Sequence, residues 1–279
     1  MMRTQPDAAI GIQAASLAGE LLLRLRQGAA MGEATSAALD ADALRAAGDR
    51  DANQAIMKLL ANERPEDNLL SEEAADDPRR LIADRVWIID PLDGTREFGE
   101  RDAAGVWRDD FAVHVALWER GQGLTLGVVG LPARGVIYSS DAPPAVPPSP
   151  TGKLRIAVSR TRPPAFITAL ESAGSATLVP MGSAGVKVMA VASGEVDAYI
   201  HAGGQYQWDS AAPVAVALAA GLVATRLDGS PLRYNVPELL LPDLVVCHPD
   251  RADEVRAILD AAGFGLDGAS GAGAAESAG

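Results

Sequence analysis

The amino-acid sequence predicts an α/β fold, with an α+β first half followed by an α/β second half. Residues 110–119 place alternate side chains on opposite faces, and glycine turns lead into further apolar runs at 124–131 and 135–139. This succession predicts an antiparallel meander. Beyond residue 151, strand-like and helix-like segments alternate along the chain, which is typical of an α/β layered structure.

The first half begins with two predicted helices. Asp7 is a suitable N-cap for the first helix, apolar residues then recur at helical spacing, and Gly28 can end it. The second helix begins at about Asp51 and ends before Pro65, because proline cannot continue a helix. The predicted elements of this half are helices at 7–27 and from about 51 to 64, and strands at 68–71, 86–89, 110–119, 124–131 and 135–139.

A proline-rich segment separates the two halves. Residues 141–150 contain five prolines, which favours an exposed connector over a helix or a strand. We therefore predict a first domain at 1–150, a second at 151–265 and a disordered Gly/Ala/Ser-rich tail at 266–279. The predicted elements of the second domain are strands at 154–159, 176–181, 196–201 and 244–248, and helices at 164–173, 182–192, 210–220 and 250–262.

Composition argues against several classes of protein. The chain has 24 Lys and Arg against 37 Asp and Glu, a net charge of −13, and it lacks the basic stripe with which nucleic-acid-binding proteins contact phosphates. We find no signal peptide, and no apolar run approaches the roughly 20 residues that span a bilayer. The single cysteine, Cys247, excludes an internal disulfide and fits a reducing compartment. We therefore expect a cytoplasmic protein that binds neither nucleic acid nor membrane.

The most informative segment lies around two aspartates in the first half. An apolar run ends at Asp90, and Pro91 predicts a turn that brings Asp93 back toward it. Gly94 would let an anion approach the backbone, and Thr95 begins the next segment, whose free amides would favour a phosphate. The alternative is an ordinary turn, because Asp-Pro and Asp-Gly are common turn dipeptides.

Further acids lie at the ends of other predicted elements. Glu72 and Glu73 follow a short apolar strand, and Asp209 lies at a predicted helix start. Taken singly, the first two predict an exposed pair and the third an N-cap. Together with Asp90 and Asp93 they indicate a site of oxygen ligands, which suits Mg²⁺ rather than zinc. We interpret all three histidines as structural or surface residues: His114, His201 and His248.

Three motifs resemble those of the inositol monophosphatase-like superfamily. Asp90-Pro-Leu-Asp93-Gly94-Thr95 matches its DPxDGT motif, Ser71-Glu72-Glu73 is similar to its G/S-E-E element, and Trp208-Asp209-Ser-Ala-Ala to its WDxAA motif. Their order and spacing match too, from the first helix to about Ala262. The resemblance implies a layered αβαβα sandwich, a Mg²⁺-dependent phosphomonoesterase acting on a small phosphorylated metabolite, inhibition by Li⁺, and a homodimer.

The resemblance also implies roles for individual residues. Two or three Mg²⁺ ions would be held by Glu72, Asp90, the Leu92 carbonyl, Asp93 and Asp209. Glu72, Thr95 and an acid from an element ahead of the second helix would act on the attacking water. Asp51 falls where the family has that acid, although the usual threonine of the T-x-x-D element is missing, and Asp49 is the alternative.

Other details resemble the 3′(2′),5′-bisphosphate nucleotidases of the CysQ type. These are Ser71 in place of glycine, the pair Ser159-Arg160, and Gly182-Ser183 followed by Lys187, with one residue more than the usual spacing. The expected reaction converts 3′-phosphoadenosine 5′-phosphate to AMP and phosphate. The substrate-binding residues would be Gly94, Thr95, Arg96, Ser159, Arg160, Ser183 and Lys187.

Several alternatives stay open from the sequence. Arg160 and Lys187 can equally be read as surface cations. The substrate can instead be inositol 1-phosphate or fructose 1,6-bisphosphate. A protein of another class, which binds metal and phosphate for regulation without catalysis, is disfavoured because the motif acids and Thr95 are all present.

Overall fold

The computed structural model describes residues 5–31 and 40–264. The predicted disordered tail at 266–279 lies outside these ranges. The first two helices are α1 (Asp7–Met31) and α2 (Ala41–Glu63), and they pack against each other. Helix α2 begins about ten residues earlier than predicted, because the Asp40 side chain accepts a hydrogen bond from the Ala43 amide and caps the helix there.

Helix α1 corrects one expectation from the sequence. By length and composition it is apolar enough to match a membrane-spanning helix, with a mean hydropathy of 1.3 within Asp7–Ala29. The statement that no apolar run approaches that length was therefore wrong. Ile10, Ala14 and Leu22 are fully buried and belong to a cluster shared with α2 and the adjoining sheet. This face of α1 is thus part of the protein core.

The first sheet has five strands in the order β1–β2–β3–β4–β5. The strands are β1 (Asn68–Ser71), β2 (Arg85–Asp93), β3 (Ala112–Glu119), β4 (Gly123–Leu131) and β5 (Val136–Ser139). Strand β1 is parallel to β2, and the other neighbours are antiparallel. The predicted meander is therefore confirmed as β3–β4–β5.

The second sheet also has five strands, in the order β7–β6–β8–β10–β9. The strands are β6 (Leu154–Ser159), β7 (Ala176–Met181), β8 (Ala198–Tyr206), β9 (Val223–Thr225) and β10 (Leu240–Cys247). Strand β6 is parallel to both of its neighbours, whereas β10 is antiparallel to β8 and β9. The short β9 was not predicted from the sequence.

Helices lie on both sides of each sheet. The remaining ones are α3 (Thr95–Phe98), α4 (Ala165–Ser172), α5 (Ala184–Ala192), α6 (Gln207–Ala219) and α7 (Ala252–Ala261). Helices α1 and α2 cover the outer face of the first sheet, α5 and α6 lie between the sheets, and α4 and α7 cover the second. The layers read αβαβα, so the predicted fold class is confirmed.

The middle layer contacts both sheets closely. One buried cluster combines Val86 and Ile88 of the first sheet with Val188 of α5, Val216 of α6 and Val246 of the second sheet. Helix α6 approaches β4 so closely that a Cβ on Gly127 would lie 2.4 Å from the Ala212 carbonyl oxygen. The division of the chain at residue 150 stays a prediction, and the interior is shared by residues from both sides of it.

Candidate active site

A register shift in the first sheet brings the two motif aspartates onto one face. Asp90 lies opposite His114 and Asp93 lies opposite Ala112, so β2 contains one more residue than β3 over this stretch. In a regular strand, residues three apart point to opposite faces. The extra residue forms a bulge that reverses this alternation. Asp90, Asp93 and His114 consequently point to the same side, toward α5 and α6.

The start of α5 binds one of these carboxylates. Asp93 Oδ2 accepts hydrogen bonds from the Ser183 hydroxyl at 2.5 Å and from the Gly185 amide at 2.8 Å. Ser183 also caps the helix by accepting from the Val186 amide, and its φ is 49°. Ser183 was predicted to bind substrate. In the structure its hydroxyl orients Asp93, and a contact with substrate stays a prediction.

His114 is fully buried beside Asp93. Its Nδ1 lies 3.2 Å from the Trp208 carbonyl oxygen, and its Nε2 lies 3.3 Å from Asp93 Oδ2. A Cβ on Gly185 would lie 2.1 Å from that Nε2, so this ring fits only beneath a glycine. Burial lowers the pKa of His114, which favours the neutral ring. His114 was predicted to be a structural or surface residue, and its place beside the acids follows from the strand register that sets it opposite Asp90.

Two more carboxylates complete the cluster. Glu72 follows β1, where its amide donates to the Ile89 carbonyl, and Asp209 lies in the first turn of α6. Desolvation, with the charges of neighbouring acids, raises the pKa of Glu72 to about 7 and that of Asp209 to about 8. Burial and the same neighbours raise the pKa of Asp90 well above its usual range. Four acids from three parts of the chain therefore repel one another at one place.

The cluster fits a divalent metal ion. Asp90 Oδ1 accepts from the Leu92 amide, whereas Asp90 Oδ2 is buried without a hydrogen-bond partner among the described residues. One ligand atom from each of Asp90, Asp93 and His114 falls within 4.8 Å of the others. A cation would pair with the orphaned oxygen and relieve the repulsion, and carboxylate oxygens are the ligands of hard divalent ions.

Gly94 and Thr95 come immediately after Asp93 in the chain and lie beside the acidic cluster. Gly94 has a φ of 87°, and a Cβ there would lie 3.1 Å from the Asp110 carbonyl oxygen, so both conformation and space require glycine. The Thr95 hydroxyl lies 3.0 Å from the Leu92 carbonyl oxygen and 3.3 Å from Asp49 Oδ1.

The acid beside Thr95 in the structure is Asp49, the alternative that the sequence left open, and not Asp51. Asp51 forms an ion pair with Arg50 at 2.8 Å. Both acids lie within α2, and residues two apart on a helix differ by about 200° in direction, so only one of them can face Thr95. Desolvation, with the charge of Glu73, raises the pKa of Asp49 to about 6.

The two cations predicted to bind substrate, Arg160 and Lys187, already have partners within the protein. Arg160 forms ion pairs with the buried acids Glu97, at 3.0 Å, and Asp110. Lys187 is buried and donates to the Gly182 carbonyl at 3.1 Å, and burial lowers its pKa. Lys187 is therefore not a surface cation, whereas Arg160 is half-buried beside its two acids. A role of either residue in binding substrate stays a prediction.

Two other predicted substrate residues lie nearer the surface. Arg96 is exposed and pairs with Glu100 at 2.7 Å. The Ser159 hydroxyl accepts from the Arg162 amide at 3.3 Å. Arg162 itself is exposed, and within residues 5–31 and 40–264 no ion-pair partner lies within reach of it. Arg162, two residues beyond Arg160, was not among the site residues predicted from the sequence.

Comparisons with known proteins agree with this geometry. The inositol monophosphatase family model matches residues 3–260. The chain is 51% identical over 246 residues to the 3′-phosphoadenosine 5′-phosphate phosphatase of Mycobacterium bovis, covering 84% of this chain and 86% of that protein. It is 33% identical over 243 residues to the 3′(2′),5′-bisphosphate nucleotidase CysQ of Escherichia coli O157:H7, covering 82% and 94%.

A solved structure shares the fold. The crystal structure of CysQ from Bacteroides thetaiotaomicron, a bacterial member of the inositol monophosphatase family, superposes with a TM-score of 0.70 at 28% identity, covering 88% of this chain and 98% of the other. The match in sequence, in fold and in the arrangement of the acidic motifs leads to one conclusion. The chain belongs to the inositol monophosphatase family.

Proposed function

We propose that this protein is a Mg²⁺-dependent phosphomonoesterase that converts 3′-phosphoadenosine 5′-phosphate to AMP and phosphate. The observation that carries the proposal is the convergence of Glu72, Asp90, Asp93 and Asp209 beside Gly94 and Thr95. The nucleotide substrate is supported by the relatives of 50 and 51% identity that carry the name 3′-phosphoadenosine 5′-phosphate phosphatase. The protein is accordingly a 3′(2′),5′-bisphosphate nucleotidase.

The carboxylates provide the binding site for the cofactor. We assign two or three Mg²⁺ ions to Glu72, Asp90, the Leu92 carbonyl, Asp93 and Asp209. When bound, the ions neutralise the phosphoryl oxygens and make water a stronger nucleophile at neutral pH. Ser183, Gly185 and the start of α5 hold Asp93 in one orientation, so this ligand loses little freedom when the cation binds.

Thr95 and Asp49 would act on the attacking water. The Thr95 hydroxyl lies between the Leu92 carbonyl and Asp49, so it can donate to one of them and accept from water. Asp49, with its pKa near 6, is mostly ionised at pH 7 and can accept the proton that water loses. Glu72, at the exposed edge of the same cluster, would orient the water from the other side.

The second phosphate of the nucleotide needs a cation that is not already paired. Arg162 meets this requirement because it is exposed. It follows the end of β6, and the parallel strand β7 ends at the same edge of the sheet, just before Ser183. Arg162 also lies near His201 of β8, where its charge adds to burial in lowering the pKa of that histidine. We therefore assign the second phosphate to Arg162, and we assign Arg160 a structural role with Glu97 and Asp110. A forked guanidinium matches the geometry of a phosphate.

Substrate preference tests this assignment. We expect wild-type kcat/KM to be higher for 3′-phosphoadenosine 5′-phosphate than for inositol 1-phosphate or fructose 1,6-bisphosphate. Arg162→Ala should lower kcat/KM for the bisphosphate nucleotide by about tenfold or more, the effect of one charge-assisted hydrogen bond. It should change the value for inositol 1-phosphate by less than about twofold, because that ester has no second phosphate.

The control is Arg24→Ala, which removes an exposed arginine of α1 whose ion-pair partner among the described residues is Glu20. It should leave all three substrates unaffected. Equal losses on both esters in Arg162→Ala would remove Arg162 from the nucleotide site. A wild-type preference for inositol 1-phosphate would instead favour the alternative of an inositol phosphatase, while leaving a metal-dependent phosphatase in place.

We also propose a cytoplasmic location and a homodimer. The location is supported by the absence of an internal disulfide, since the single cysteine, Cys247, is a buried thiol. The dimer is supported by the family resemblance alone, and light scattering of the purified protein would test it.

A further inference from the structure

A buried arginine anchors the loop that follows Glu72. Arg80 is fully buried and pairs with Asp76 at 2.6 Å. Its guanidinium also donates to Asn235 Oδ1 at 2.9 Å and to the Val236 carbonyl at 3.1 and 3.2 Å. A buried guanidinium is tolerated only when its donors find partners. The segment at 235–236 supplies partners that the loop itself lacks.

Asn235 continues this set of contacts toward α6. Its side-chain amide donates back to the Arg80 carbonyl at 3.1 Å, and its backbone amide donates to Gln207 Oε1 at 2.6 Å. Gln207 is fully buried, and its Nε2 donates to the Val236 and Glu238 carbonyls. Asn235 has a φ of 53°, one of two such non-glycine residues among those described. Asn235 makes both sets of contacts from this left-handed conformation, which asparagine tolerates better than most residues.

The two ends of this network lie next to two metal-ligand candidates. Asp76 comes four residues after Glu72, and Gln207 comes two residues before Asp209. Glu72 follows a strand of the first sheet, whereas Asp209 lies on α6 in the middle layer. These two acids therefore belong to different elements, and their separation depends on how those elements are tied together.

We propose that Arg80, Asn235 and Gln207 form a positioning unit that fixes Glu72 and Asp209 relative to each other and so sets the affinity of the site for divalent cations. The unit touches neither substrate nor cation. It acts through the loop at 72–77 on one side and the first turn of α6 on the other. The inference uses the metal assignment but not the identity of the phosphate ester, so it holds whichever substrate is cleaved.

Asn235→Gly is the most direct test. Glycine adopts the left-handed conformation without strain, so the change removes the side-chain contacts to Arg80 while leaving the backbone amide for Gln207. We expect calorimetric titration with Mg²⁺ alone to show about tenfold weaker binding, the usual loss when residues supporting metal ligands are removed. At saturating Mg²⁺, kcat should stay within about twofold of wild type.

Asn235→Asp provides the matched rescue. The carboxylate keeps an acceptor for Arg80 but cannot donate to the Arg80 carbonyl. It should therefore recover part of the affinity for Mg²⁺ that glycine loses. This variant keeps the proposal testable if Asn235→Gly fails to fold.

Asp197→Asn controls for a general loss of stability. Asp197 is another buried residue held by an arginine, since it accepts from Arg155 and Ser149. It precedes β8, at the opposite end of that strand from α6. The variant should melt earlier than wild type but bind Mg²⁺ with unchanged affinity. The proposal is overturned if both Asn235 variants bind Mg²⁺ within about twofold of wild type, or if Asp197→Asn weakens binding as much as Asn235→Gly does.

Discussion

Asp90→Asn is expected to lower phosphate release by at least about 10²–10³-fold at saturating Mg²⁺, because it removes a preorganised charge from the centre of the metal site. Asparagine keeps the size of the side chain, and its oxygen can still accept from the Leu92 amide. The fold should survive. A carboxyl whose pKa is raised by folding destabilises the native state above its ordinary pKa. Without metal at pH 7, the variant should therefore melt no lower than wild type.

Melting curves with and without Mg²⁺ separate the two effects. Wild type should gain stability on adding Mg²⁺, because a ligand that binds only the folded state stabilises it. Asp90→Asn should gain much less. Asp84→Asn is a useful comparison, since Asp84 is an exposed acid that pairs with Arg120 and belongs neither to the cluster nor to the Arg80 network. Near-normal turnover of both Asp90→Asn and Asp93→Asn would show that the metal ligands lie elsewhere.

Asp49→Asn is expected to lower kcat by about 10²–10⁴-fold, the range observed when a general base is removed. Thr95→Ala should also lower kcat, and should change KM less than it changes kcat, because the contact of Thr95 with water matters most in the transition state. The physical reason is their geometry: the Thr95 hydroxyl lies 3.3 Å from Asp49, beside the Leu92 carbonyl.

Asp51→Asn gives the matched comparison on the same helix. Asp51 pairs with Arg50 and does not contact Thr95, so steady-state kinetics should differ from wild type by less than about threefold. A large loss in Asp51→Asn with little effect of Asp49→Asn would restore the assignment made from the sequence. A change of KM alone in Thr95→Ala would make that residue a binding residue.

The sequence predicted the ligand types better than their geometry. The motif acids Glu72, Asp90, Asp93 and Asp209 were recognised because each follows or begins an apolar element. Their common orientation depends on the bulge in β2, which is an insertion of one residue relative to β3. The sequence of one strand does not show how that strand is aligned with its neighbour. The bulge in β2 and the position of His114 therefore could not be predicted from it.

Two features of the site depend on tertiary structure that a local sequence pattern does not show. Asp51 was preferred to Asp49 by resemblance to the family's T-x-x-D element, and the position of both acids within α2 decides which of them faces Thr95. The roles given to Arg160 and Lys187 followed from reading charge without partners. Glu97 and Asp110, distant in sequence, neutralise Arg160, and tertiary contacts of this kind leave no mark on the local pattern.

The position of α5 and α6 between the two sheets limits how the enzyme can move. Both helices are buried by both sheets, and α6 lies against β4 with no room for a methyl group at Gly127. A hinge that opened the halves would break this packing and expose a large apolar surface to water. Nucleotide access and product release must therefore occur by local rearrangement of surface loops, such as those carrying Glu72 and Arg162, while the two halves stay together through each turnover.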